Sequence, residues 1–100
     1  MDRIAILTEV LAQNPNDTFA RYGLAMEYSN SGKEALQEFA KLLAASPDYT
    51  AGYFMAAQTL TRVDRIEEAR KMLQNGIAAA ERTGNYHALS EMQGMLSELS

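Results

Sequence analysis

Apolar residues recur along this chain at three- and four-residue intervals from one end to the other, and the β-branched runs that mark strands are absent. Ile4, Leu7 and Leu11, with Val10 beside them, make one stripe and predict a first helix from Arg3 to about Gln13. Asp2 is placed to cap it, and Asn14-Pro15 ends it, because the residue before a proline resists helical angles. A second helix follows Asp17, with Phe19, Tyr22, Gly23 and Met26 on one face and Asn30 as a left-handed terminator. Ser31-Gly32-Lys33-Glu34 has the spacing of a capping box. The third helix that it opens turns Ala35, Leu36, Phe39, Leu42 and Leu43 inward and stops at Ser46-Pro47. The fourth follows Asp48 and carries Tyr53, Phe54, Ala56, Ala57 and Leu60. Asp64-Arg65-Ile66-Glu67 is a second box-like start, and the fifth helix has Ile66, Ala69, Leu73, Gly76, Ile77 and Ala80 as its stripe. It runs to about Arg82 and stops at Gly84, a residue suited to the left-handed position after a helix. The sixth, from Tyr86 to Leu99, sets Leu89, Met92, Leu96 and Leu99 against an outer side of Ser90, Glu91, Gln93, Ser97 and Glu98.

The pattern also repeats. After 34 residues Phe19 returns as Tyr53, Gly23 as Ala57, Met26 as Leu60, Glu34-Ala35 as Glu68-Ala69, Phe39 as Leu73 and Leu43 as Ile77. A shift of 32 brings Pro15 onto Pro47, and Ile4, Leu7, Val10 and Leu11 onto Leu36, Phe39, Leu42 and Leu43. The first helix thus matches the second half of a hairpin whose first half is missing. Two full hairpins and a closing helix follow, and the polar outer side of that last helix is what a stack needs to end. The short connections make sequence neighbours antiparallel. The expectation is one all-α domain over 1–100 with about six helices. It divides into a half-repeat helix over 3–14, repeats over 16–49 and 50–83, and a C-terminal capping helix over 85–99.

These residues resemble the tetratricopeptide repeat, whose unit is 34 residues long with small and aromatic positions at fixed offsets. The first unit supplies Phe19, Tyr22-Gly23, Met26, Ala35, Phe39, Leu42 and Pro47, and the second Tyr53, Ala56-Ala57, Leu60, Ala69, Leu73 and Gly76. The second unit departs from the pattern in having Glu81 where the closing proline belongs. The link from Pro15 to Phe19 is also two residues shorter than that from Pro47 to Tyr53. The resemblance implies antiparallel hairpins stacked as a short right-handed solenoid. It also implies a protein–protein interaction module or adaptor, whose first helices line a concave groove for a peptide or helix of a partner. By position, that groove takes Ala20, Arg21, Leu24, Glu27 and Tyr28 from the first unit, and Ala51, Phe54, Met55, Gln58 and Arg62 from the second. Leu24, Phe54 and Met55 would form its apolar floor. The competing expectation is that the first or sixth helix packs over Phe54 and Met55. The carboxylate clamp of chaperone co-factors needs lysines and asparagines where Ala20 and Leu24 stand, so no such clamp is expected. Arg21 and Arg62 remain able to bind a single carboxylate. The alternative function is homo-oligomerisation, as a homodimer using the same apolar surface, with the stripe of the first helix partly exposed.

Composition narrows the choice further. A net charge of −4 with no basic block argues against nucleic acid as a partner. No stretch reaches the ~18 apolar residues of a membrane helix, and Met1-Asp2-Arg3-Ile4 lacks the features of a secretory signal, so a cytoplasmic protein is expected. The absence of cysteine fits that location and removes thiolate metal sites. His87 is the one histidine, expected to be exposed or capping near the start of the last helix rather than a metal ligand. No nucleophile–base pair, phosphate loop or carboxylate pair is visible, so neither an enzyme nor a cofactor is expected. Of the six methionines, Met26, Met72, Met92 and Met95 fall at stripe positions, and Met55 is the candidate for an adaptable surface.

Overall fold

A computed structural model describes residues 2–29 and 31–99. It contains six helices and, among the described residues, no strand: α1 (Arg3–Gln13), α2 (Thr18–Glu27), α3 (Gly32–Ala45), α4 (Thr50–Arg62), α5 (Ile66–Thr83) and α6 (Tyr86–Glu98). Each helix packs on the next in sequence, and α4 also touches α6. Two layers result. The layer of α2, α4 and α6 lines one face, and α1, α3 and α5 form the other.

The core is three stacked apolar clusters rather than one centre. Leu11, Ala20 and Leu24 join α1 to α2. Ala25, Ala35, Phe39, Leu42 and Ala56 join α2, α3 and α4. Tyr53, Ala57, Leu73, Ala79, Ala80 and Met92 join α4, α5 and α6. Small residues set the spacing of the last cluster. A Cβ on Gly76 would stand 2.5 Å from Met92 Sδ and 2.6 Å from Tyr53 Cβ, so α5 approaches its neighbours at a distance only glycine allows.

Helix ends follow local chemistry in part. Asp2, Asp17 and Asn85 accept from the amides of Ile4, Ala20 and Ala88 at 3.1, 3.0 and 3.1 Å. Gly84 takes the left-handed conformation at φ 68°. The two expected capping boxes do not form. Ser31 makes no side-chain cap bond, and α5 is preceded by Arg65, whose guanidinium turns to Glu68. Asp64 is itself left-handed, with φ 63°, so its carboxylate is not at a capping position. The N-cap of α4 is Tyr49 rather than Asp48, whose carboxylate binds Arg82. The expected terminator Asn30 lies outside the described residues.

The 34-residue shift relates α3 to α5, but α2 and α4 are related by 32. Their N-caps are Asp17 and Tyr49. Six residues after each proline a side chain bonds back to the proline carbonyl: Arg21 Nη2 to Pro15 O at 3.1 Å, and Tyr53 Oη to Pro47 O at 2.7 Å. On this register the buried Ala20, Leu24 and Ala25 match the buried Gly52, Ala56 and Ala57. The extra residues lengthen α4 at its C-terminal end, giving it 13 residues against 10 in α2. Phe19 consequently stands where Ala51 does, and it is 79% exposed while Tyr53 is 9% exposed. The sequence match of Phe19 to Tyr53 paired two aromatic rings that occupy different faces.

Candidate partner-binding groove

Along the seam of α4 and α6 the surface opens into three recesses in a row. The first, of about 260 Å³, is lined by Tyr22 from α2, Ala51, Phe54 and Met55 from α4, and His87, Glu91 and Met92 from α6. The second, about 330 Å³, lies between Phe54 and Gln58 on one side and Ser90, Glu91, Gly94, Met95 and Glu98 on the other. The third, about 290 Å³, is bounded by Gln58, Thr61, Arg62 and Met95. The row exists because α4 and α6 present their i, i+3, i+4 positions side by side, so each turn of one helix faces a turn of the other. Phe54 and Met55 are half-buried, with one side against core clusters and the other toward the recesses.

Polar side chains border the apolar floor along the whole row. Tyr22 is wedged against Tyr49 at 5.3 Å between ring centroids and edge-on to Phe39 at 6.4 Å. Burial, with Tyr49 adding to it, raises the Tyr22 phenol above its ordinary range. His87 is exposed near the start of α6, with Nε2 3.3 Å from Glu91 Oε1. Arg62 is exposed and donates to the Thr59 hydroxyl at 3.4 Å.

All five residues expected from α4 (Ala51, Phe54, Met55, Gln58 and Arg62) line the recesses. Those expected from α2 lie elsewhere. Ala20 and Leu24 are buried against α1, packed on Leu11 with Ile4 and Leu7 alongside. Arg21 points at α3, where Nη1 meets Glu38 Oε1 at 2.8 Å and Lys41 supplies a second cation at 3.1 Å. Glu27 pairs with Arg3 of α1. Tyr28 is half-buried between two clusters. The physical reason is the two-residue register difference, which rotates positions about 200° around a helix. The α2 residue that does reach the recesses is Tyr22. The sequence reading put Ser90, Glu91 and Glu98 on a polar outer side of α6, and the structure sets them across the second recess from Phe54 and Gln58. The competing expectation of the sixth helix against Phe54 describes one side of that ring, which packs on the cluster that holds Met92. Pro15 and Pro47 carried the signal that sets α2 correctly.

Among the described residues no cluster of potential metal ligands occurs, and no helix is long and apolar enough to cross a membrane. The fold and its groove therefore define a helical-repeat protein of stacked antiparallel pairs. Residues 28–92 match the tetratricopeptide repeat family model, and the chain belongs to that family. A TPR repeat-containing protein of Pseudomonas aeruginosa is 25% identical over 95 residues, covering 93% of this chain and 90% of that one. The solution structure of a tetratricopeptide repeat domain protein from Salinibacter ruber superposes with a TM-score of 0.81 at 31% identity, covering 87% of this chain and 90% of that one. The TPR2B domain in the pHsp70 complex of yeast Sti1 gives a TM-score of 0.88, covering 96% of this chain and 78% of that one. At 17% identity that last likeness concerns the fold alone.

Proposed function

We propose that this chain is a protein–protein interaction module that holds a short peptide or helix of a partner in the groove between α2, α4 and α6. The observation that carries this reading is the pair Phe54 and Met55, half-buried at the foot of an open row of recesses rather than sealed by α1 or α6. Apolar anchors in pockets with a polar rim are how such grooves obtain binding energy. The family has this general role, and the yeast Sti1 domain is a solved complex of the same fold. The test is selection of binders from a displayed peptide library on the purified chain, followed by titration of the winners. Phe54→Ala with Arg62→Ala is expected to weaken binding at least tenfold, with the helical circular-dichroism signal unchanged. Equal affinity for the double variant would move the binding surface away from this groove.

A specific observation also favours self-association as a second reading. Ile6 and Val10 on α1 are 43% and 38% exposed, whereas their counterparts on α3 at a shift of 32, Glu38 and Leu42, are buried. Light scattering across concentration separates the readings: a monomer throughout removes this one.

A further inference from the structure

Gly94 has no role in the packing of the fold. It sits inside α6, where glycine is the least favourable residue short of proline, yet a Cβ built on it meets nothing within 4 Å. Gly76, by contrast, is held to glycine by Tyr53 and Met92. The open space next to Gly94 is the second recess, opposite Phe54 and Gln58. A helical glycine beside a groove permits an occupant's backbone to come closer than any side chain would allow. Glu91 and Glu98 flank Gly94 on the same recess, one turn to either side. Among the described residues no basic side chain other than the exposed His87 engages Glu91, and no ion pair engages Glu98. The cation of the groove, Arg62, lies on the third recess.

We infer that the middle of the groove selects a partner segment carrying a lysine or arginine next to an apolar anchor. The anchor enters the first recess against Phe54 and Met55. The segment's backbone crosses over Gly94, and its cation lies between Glu91 and Glu98. This rests on the groove reading above and adds the charge class of the partner. The carboxylates are solvated, so their contribution is to choose among anchored segments rather than to bind alone.

The experiment uses three end-blocked peptides that share one apolar anchor, taken from a library winner or a phenylalanine in an alanine background. Two residues beyond the anchor they carry Lys, Gln or Glu. Fluorescence anisotropy at low salt is expected to rank them Lys over Gln over Glu, with about tenfold between the extremes. Glu91→Gln with Glu98→Gln should collapse that ranking without loss of the Gln peptide. Gly94→Ala should weaken all three while raising the melting temperature by about 4–8 °C, because the occupant, and not the fold, requires that no Cβ stand there. Equal binding of the three peptides overturns the charge inference and leaves the groove reading standing. Undiminished binding by Gly94→Ala overturns the close approach. If none of the peptides binds and Phe54→Ala leaves the library winners unaffected, the groove reading falls with it.

Discussion

Gly76→Ala and Gly94→Ala are the same chemical change in two helices of one protein, and the structure assigns them opposite signs. In each, alanine gains about 1 kcal/mol of helix propensity over glycine. At Gly94 nothing opposes that gain, since the added methyl meets open space. At Gly76 the methyl would arrive 2.5 Å from Met92 Sδ, 2.6 Å from Tyr53 Cβ and 3.1 Å from Tyr53 Cγ. The sulfur belongs to a flexible side chain and can swing aside. Tyr53 Cβ cannot, being one bond from the backbone of α4, and its ring is tied by the phenol bond to Pro47 O. Relief therefore requires α4 and α5 to part, which loosens the cluster of Tyr53, Leu73, Ala79, Ala80 and Met92. Overpacking of this kind costs about 1–3 kcal/mol, and more where backbone must shift, so a net loss of about 2 kcal/mol is expected after the propensity gain. The two variants should then differ by about 3 kcal/mol, or more than 10 °C in melting temperature for a domain of this size. Urea unfolding followed by far-ultraviolet circular dichroism measures both. A Gly76→Ala variant as stable as the parent would refute the claim that this glycine sets the approach of the two helices. Destabilisation by Gly94→Ala would refute the claim that its neighbourhood is empty.

Other expectations follow from the same contacts. Arg21→Ala leaves the nearly buried Glu38 carboxylate with Lys41 alone, and should cost about 2–3 kcal/mol in urea unfolding; Glu38→Gln added to that variant should recover part of the loss. Tyr22 has a folded pKa above its unfolded value, so folding favours its protonated form. Its contribution is intact below about pH 10 and is lost as pH rises through the folded value, so Tyr22→Phe should flatten the alkaline fall in stability and remove one late step from an absorbance titration. Asn85→Ala removes the side-chain cap of α6 and should cost about 1 kcal/mol, seen first as earlier exchange of the Ala88 amide.

The helices were legible in the sequence because their signals are local. Asn14-Pro15, Ser46-Pro47 and Gly84 each act within a residue or two of themselves, and all three ends fall where they predict. Capping boxes were less legible, since they depend on competitors that sequence spacing does not rank. Arg65 bonds Glu68, and Asp64 is drawn into a left-handed turn. The face that α2 presents was not legible from the 34-residue period at all. Four of the site residues placed on α2 (Arg21, Leu24, Glu27 and Tyr28) are turned toward α1 and α3, while Tyr22, read as part of the inward stripe, is the one that meets Phe54 and Met55 at the first recess.

Two shifts competed in the sequence, and chemical likeness favoured the wrong one for α2. Phe19 and Tyr53 are both aromatic, so a shift of 34 aligns them. Arg21 and Tyr53 share no chemistry, yet each spans from the first turns of its helix to a proline carbonyl six residues earlier. What the fold repeats at this position is an acceptor and a distance rather than a side-chain type, and a guanidinium or a phenol satisfies it equally. The proline fixes where the turn begins, and the donor fixes the rotation of the helix that follows. The same rule explains why Arg21 is both a reach to Pro15 and a partner for Glu38: its fork has donors enough for two acceptors, where the phenol of Tyr53 has one. Counting from the prolines, rather than from the aromatics, therefore pairs Tyr22 with Phe54 at a shift of 32, and these are the two aromatic rings that the fold brings to the first recess.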